Sequence, residues 1–392
     1  MPKGRRPPCT PAAESRGRFD RRRFLGGVAA GSAVALAGCG PSSQEGVGGP
    51  AVVSQPRLTW RLASSFPRSL DTIFGAAEVM ADRVAELTEG RFRIRCYPSG
   101  ELVPGLQVLD AVQQGTVQLG HTASYYYTGK NPAFAFDTAM PFGLTARQQT
   151  AWLKAGGGLE LINELMADFG ILALPSGNTG VQMGGWFRRE LGSAAEVRGL
   201  KMRIPGLGGE VMSRLGATVQ TIPGGEIYPA LERGAIDATE WVGPYDDEKL
   251  GFHRIARYYY YPGWWEPGPG LSTYVGRRAW DGLPKSYQEA LRAAADTAHV
   301  TMLSRYDALN PAAWDRLLAA GVEVRRFPHD MLEAARRATT ELIEEQASAD
   351  AGYRKIYESW KKFREESYRW FGAAELSFQE FSFPRPAPGA RA

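Results

Sequence analysis

Leu58-Thr59-Trp60-Arg61-Leu62-Ala63, then Ser69 to Thr88, then Phe92-Arg93-Ile94-Arg95-Cys96-Tyr97 is the stretch on which the fold turns. The two outer pieces have strand character, and the second alternates in polarity with period two. Between them Ile73, Phe74, Ala77, Met80, Val84 and Leu87 recur at helical spacing, and Gly90 supplies a stop. Strand, helix and strand in this order make a βα unit, and Gly105 to Gln114 returns to helix. A second run begins near Val181, with strands expected over Met183–Phe187, Leu200–Ile204 and Thr218–Ile222 and helices over Gly208–Leu215 and Ile227–Glu232. Gly234 to Thr239 reads as a further strand ending at Glu240. The fold class is therefore α/β with mainly parallel strands, in two units with no visible repeat. The C-terminal third reads as helices over Lys285–Arg305, Pro311–Ala320, Asp330–Gln346 and Tyr353–Phe371, interrupted by a strand at Val322–Phe327.

The chain of 392 residues is 44% hydrophobic and 22% charged, which is ordinary globular composition. Its length is that of two domains, each able to bury a core. Residues 1–38 hold eight lysines or arginines and two acids, so this leader carries +6 and the remainder −2 of the formal +4. A weakly acidic body with four histidines offers no basic surface for nucleic acid.

The leader reads as an address. Arg21-Arg22-Arg23-Phe24-Leu25 is a twin-arginine pattern, and a short Gly/Ala/Val stretch then ends in Leu36-Ala37-Gly38-Cys39. That ending resembles a bacterial lipobox, so residues 1–38 are expected to be cleaved and Cys39 lipidated, with 39–55 as a tether. Cys9 is then lost, and Cys96 has no intramolecular disulfide partner. No other segment approaches 18 uninterrupted apolar residues, so the expectation is a periplasmic body that meets the membrane through its anchor alone.

No catalytic motif stands out. His121, His253, His299 and His329 lack metal-ligand spacing, and no nucleophile elbow, phosphate-binding P-loop or Cys-x-x-Cys pair occurs. Gly206-Leu207-Gly208-Gly209 before a helical pattern is a weak anion signal. What does stand out is polar residues set among rings: Ser124 to Tyr127, Asn178 to Phe187, Lys201 to Gly206, Glu240 to Tyr245, and Tyr258 to Glu266. Charges in such surroundings must be exposed, paired or ligating, because lone buried charge is costly. A planar arginine fork suits a carboxylate, and two carboxylates with amide and carbonyl oxygens suit a hard cation. Each residue also has an ordinary reading: Arg203 paired with a nearby acid, Glu266 facing solvent, Gln182 as a polar strand residue. The tyrosines at 258–261 read as core rather than pocket.

These segments, together with Val103 to Asp110, Gly120 to Tyr127 and Glu240 to Phe252, resemble the DctP-type solute receptors of tripartite ATP-independent periplasmic (TRAP) transporters, from about Trp60 to the C-terminus. The likeness is to the branch that binds 2-oxo acids or lactate. It implies a two-domain periplasmic binding protein fold with a long connecting helix and a helical C-terminal extension. The corresponding division is 56–180 with 267–308, and 181–266 with 309–350, followed by 351–392. It implies a receptor for a small 2-oxo or 2-hydroxy monocarboxylate that serves TRAP membrane permease subunits. Arg203 matches the arginine that pairs with the substrate carboxylate. Gln182, Glu240, the Trp241 carbonyl and Glu266 match ligands of a sodium or calcium ion, with Asn178, Tyr125 and Tyr126 lining the pocket. Relatives in this branch are dimers with exchanged terminal helices, so a homodimer held by Tyr353–Phe371 and lost on truncation after Gly352 is expected. Three other readings compete: the receptor of an ATP-driven transporter, a metal-dependent lyase or aldolase acting on 2-oxo acids, and a ligand-presenting sensor partner.

Overall fold

The computed structural model describes residues 55–383; the leader, Cys39 and most of the expected tether lie outside the described residues. Among the described residues eleven strands form two sheets. The first has the order β2-β1-β3-β10-β4, with β1 (Leu58–Ser64), β2 (Phe92–Tyr97), β3 (Leu119–Thr122), β4 (Ile171–Asn178) and β10 (Gly270–Gly276). β1 runs parallel to β2 and β3, and β10 returns antiparallel between β3 and β4. The second has the order β11-β9-β5-β8-β6-β7, with β5 (Trp186–Phe187), β6 (Lys201–Arg203), β7 (Thr218–Gln220), β8 (Ala238–Thr239), β9 (Tyr258–Tyr261) and β11 (Glu323–Arg326). The β6–β7 and β6–β8 pairs are parallel, and β5 is antiparallel to both its neighbours.

The opening βα unit forms as its spacing requires. The helix Gly75–Leu87 buries Ala76, Ala77, Met80 and Val84 against the sheet, where Trp60 and Phe92 meet edge to face at 5.0 Å. At Glu89 and Gly90 the backbone takes positive φ, and the chain reverses into β2.

Several elements differ from expectation. The expected strand from Met183 is paired only at Trp186–Phe187. Before it, Met183 and Gly184 donate singly to the carbonyls of Val242 and Tyr260, so the segment crosses its neighbours instead of lying in register. Ser124–Tyr127 is a 3₁₀ turn, so strand alternation has no bearing on which tyrosine faces inward. The helices expected over Lys285–Arg305 and Pro311–Ala320 are one helix, Lys285–Ala319, with Pro311 in its interior. An interior proline costs a helix about 3 kcal/mol, and burial of Tyr306, Ala313 and Leu317 along this helix outweighs that loss.

The aromatic stripe of the helix Ala351–Phe371 divides in two. Tyr353, Ile356, Tyr357 and Trp360 are buried in this chain's own core, packed on Phe136. Beyond them Trp370 is 64% exposed, and Phe378 and Phe381 in the short helix Ser377–Ser382 are exposed as well. No helix among the described residues is long and apolar enough to cross a membrane. Cys96 is a free thiol whose pKa burial pushes up to about 12.

Candidate functional site

The parallel strands converge on one cavity. In open α/β sheets ligands collect beyond the carboxyl ends of strands, where the chain leaves the ladder and backbone groups are free. Phe66 follows β1, Tyr125 and Tyr126 follow β3, and Asn178 ends β4 with Gln182 four residues on; all these come from the first sheet or its exits. From the second sheet Arg203 is the last residue of β6, and Glu240 follows β8. Residues from both sheets bound a tight cavity of about 10 Å³, lined by Phe66, Ile73, Tyr125, Tyr126, Thr179, Gln182, Arg203, Glu240, Trp241 and Leu271.

Arg203 is 1% exposed, which makes every one of its donors consequential. Its Nε donates to the Ile222 carbonyl at 3.0 Å, and Nη1 donates to the Glu240 carbonyl at 3.4 Å and forms an ion pair with Glu240 Oε1. Register places the two residues together: Arg203 pairs with Thr239 across the β6–β8 ladder, and Glu240 comes next. Nη2 is buried without an acceptor among the described residues, and the guanidinium lies 5.2 Å from the centre of the Trp241 ring. The ordinary reading of Arg203 as the partner of an acid is thus realised, yet it leaves half of the fork free.

Glu240 and Glu266 are both buried. Burial holds the Glu240 carboxyl above its ordinary range despite the opposing pull of Arg203. Burial, and then the nearby Glu240 charge, hold Glu266 well above it. Two carboxylates this close in a dry wall favour a proton or a cation between them. Gln182 is held by the same segment: its backbone N–H donates to the Glu266 carbonyl at 3.2 Å, and Gly263 N–H donates to the Gln182 carbonyl at 3.0 Å. Gln182 Oε1 and Glu240 Oε2 are buried acceptors that meet no donor among the described residues. A buried acceptor left so costs about 1–3 kcal/mol. The donor set of two carboxylates, an amide oxygen and the neighbouring Trp241 backbone therefore suits a hard, oxygen-seeking cation. No group of three or more His, Cys, Asp or Glu residues suited to a metal occurs among the described residues, so the oxygen set around Gln182 differs from a side-chain cage.

Tyr125 and Tyr126 stand edge to face at 5.0 Å, and the Tyr125 hydroxyl donates to Glu266 Oε2 at 3.4 Å. Burial raises both phenols, Tyr126 to about 12, so both act as donors at neutral pH. Gly206 explains their position. It sits at φ +62° where the helix Gly206–Arg214 starts, and a Cβ there would stand 3.0 Å from Tyr125 Cβ. That glycine thus serves the close approach of the Tyr125 turn.

Asn178 does not bound the cavity. Its Nδ2 donates to the Gly268 carbonyl at 3.0 Å and its Oδ1 accepts from Gly180 N–H at 2.8 Å, so its amide holds the turn that presents Thr179 and Gln182. Tyr259 and Tyr260 are core: the first stacks on Trp186 at 4.0 Å, and the second donates to the Leu191 carbonyl.

Sequence reasoning missed Phe66, Ile73, Thr138 and Leu271 on the cavity wall. Phe66 was within reach, since it follows the first strand at the end where ligands gather. It also missed the acids behind the wall. Asp247 accepts from Tyr259 at 2.6 Å, from Trp186 Nε1 at 3.0 Å and from Val242 N–H at 3.3 Å, and so pins the turn that carries Glu240 and Trp241. Burial raises its carboxyl to about 7.

Residues 63–350 match the family described as bacterial extracellular solute-binding protein, family 7 (DctP). The chain is 56% identical over 327 residues to the monocarboxylate 2-oxoacid-binding periplasmic protein of Nostoc sp. (strain PCC 7120), covering 83% of this chain and 90% of that protein. Its fold is similar, with a TM-score of 0.83 and 48% identity, to a TRAP transporter solute-binding protein of Bordetella bronchiseptica RB50. That protein is a mixed-occupancy dimer with copurified calcium and picolinate in the active site, and the match covers 84% of this chain and 98% of that one. It is also similar, with a TM-score of 0.81 and 42% identity over 84% of this chain and 100% of the other, to a TRAP periplasmic solute-binding protein of Pseudoalteromonas atlantica with bound sodium and pyruvate.

Proposed function

The chain belongs to the DctP family of bacterial extracellular solute-binding proteins, and from that premise we propose that it is the periplasmic receptor of a TRAP transporter for a small 2-oxo acid such as pyruvate, held together with a sodium or calcium ion. The observation that carries the reading is the half-free Arg203 fork beside two buried carboxylates and the unpartnered Gln182 Oε1. The family and these relatives are solute-binding receptors, not enzymes, so the lyase reading is set aside.

Arg203 would take the substrate carboxylate through its charged fork. Gln182, Glu240, the Trp241 carbonyl and Glu266 would hold the cation, which supplies positive charge beside the ligand's oxygens. Tyr125 and Tyr126 would donate from the adjoining turn, with Asn178 holding the loop behind them. Phe66, Ile73 and Leu271 keep the remaining wall apolar, which suits a monocarboxylate with a short hydrocarbon tail. Glu240, Glu266 and the ligand carry three negative charges against one on Arg203. Calcium would balance the site and sodium would leave −1, so the cost of desolvation favours calcium. Calorimetry with pyruvate in sodium-free, chelator-containing buffer tests this reading. Affinity should fall at least about tenfold, near 1.4 kcal/mol, and recover with calcium; undiminished affinity would reject the cation set.

The two lobes are assigned to 56–180 with 267–308 and to 181–266 with 309–350, which keeps each sheet within one lobe. Export by the twin-arginine route and lipidation of Cys39 are supported by the leader motifs; replacing Cys39 by Ala should release the protein from membranes. A homodimer is supported by the exposed Trp370, Phe378 and Phe381. Truncation after Gly352 would remove the buried Tyr353 and Trp360 and test folding instead. Ending the chain after Gly372 leaves that core intact, and light scattering should then give a monomer mass while the full chain gives a dimer.

A further inference from the structure

The first sheet leaves one corner in water, and that corner is strongly basic. On one face of the β1–β2 pair, Trp60, Phe92 and Ile94 are buried. On the other, Thr59, Arg61, Arg93 and Arg95 are exposed. Parallel sheets are ordinarily covered on both faces, so an open face lined with arginine asks for a reason. Register places Thr59 opposite Arg93 and Arg61 opposite Arg95, with Arg57 and Arg91 at the entrances of the same two strands. Residues 55–61 and 90–100 hold these five arginines and no acid. Of the acids on the helix, Glu78 pairs with Arg68 and Glu86 with Arg83, while Asp82 acts on Cys96, whose thiol points to the helix side of β2; Glu89 at the preceding turn is the acid next in sequence.

We propose that this arginine face of β1–β2 docks on an anionic phospholipid surface, holding the anchored receptor in a fixed orientation on the membrane. The inference rests on the reading of Cys39 as the lipid anchor. Seventeen residues lie between Cys39 and Arg57, and the chain enters the folded body at this corner. Anchoring makes contact with the surface an intramolecular event, so modest attraction is enough. Arg57 and Arg91 sit at the entrances of β1 and β2, whereas the ligand cavity lies beyond the exits of the parallel strands. Docking by this corner leaves the cavity open. An acidic protein partner would also meet these charges, but entry of the anchored chain at this corner favours the lipid.

The test uses residues 40–392, which contain all the described residues, 55–383, and neither the lipid nor the basic leader. A failed anchor and a failed arginine face thus give different results. The protein is sedimented with vesicles of phosphatidylcholine alone or mixed with phosphatidylglycerol at low salt. Binding should require phosphatidylglycerol. Each arginine near such a surface contributes about fivefold, so changing Arg61→Gln, Arg93→Gln and Arg95→Gln together should lower affinity about a hundredfold. Lysine at the same three positions should retain binding, since charge decides it. Equal binding to both vesicle types, or a glutamine variant that binds like the parent, would overturn the proposal and leave the face to an acidic protein partner.

Discussion

Arg203 and the arginines of β2 carry the same guanidinium in opposite surroundings. Arg203 is sealed in a wall, satisfied on one side by Glu240 and Ile222 and unsatisfied on the other. Arg93 and Arg95 stand in water on an open sheet face. In the dry site each unpaired donor has a large cost, so a ligand that supplies the missing acceptor is bound strongly and in one orientation. On the wet face Arg93 Nε donates to the Gly90 carbonyl and water can satisfy the donors left over, so what remains is a screened, additive attraction without shape. One residue type thus serves recognition or general adhesion according to the solvent around it.

The largest break in that comparison comes from Arg203→Ala. It removes the carboxylate partner and leaves Glu240 buried without its ion pair, a loss of about 2–5 kcal/mol, so pyruvate affinity should fall at least about thirtyfold by calorimetry. A variant that binds like the parent would show that the fork is not the anchor. Acidity should act next. Glu240 and Glu266 are both raised by burial, so without ligand they hold protons at a pH where exposed carboxylates have lost theirs. A cation must displace those protons, so its affinity should rise with pH through the Glu240 value of about 7, by up to about tenfold per unit for each proton released, with Glu266 acting in the same direction. Proton release measured in two buffers of different ionisation enthalpy checks the sign; uptake, or no exchange, would contradict it. Salt should separate the two regions with the smallest effect on the buried one. Between about 50 and 500 mM salt the vesicle contact should weaken steeply, while pyruvate affinity, at constant calcium, should change by less than about threefold.

The same contrast runs through the C-terminal extension. Tyr353, Tyr357 and Trp360 obey the helical period and pack on Phe136, whereas Trp370, further along the same helix, lies in solvent with Phe378 and Phe381 beyond it. Periodicity tells which residues share a face. It does not tell how far along the helix the neighbouring core extends.

Sequence alone determined the α/β class, the helix between β1 and β2, and the segments around Arg203 and Glu240, because these follow from local periodicity and from charges set where burial makes them expensive. Through polar residues among rings it also pointed to the segments that hold Gln182 and Glu266, which the resemblance to DctP-type receptors then singled out. What only the tertiary structure decided is how those segments meet: the β6–β8 register that sets Arg203 beside Glu240, the 3₁₀ turn that aims Tyr125, the unbroken helix through Pro311, and the Asp247 brace behind the wall. Asp247 takes donors from Tyr259 and Trp186, 12 and 61 residues away along the chain, and local pattern carries no information about which distant surface will fold against a given side chain.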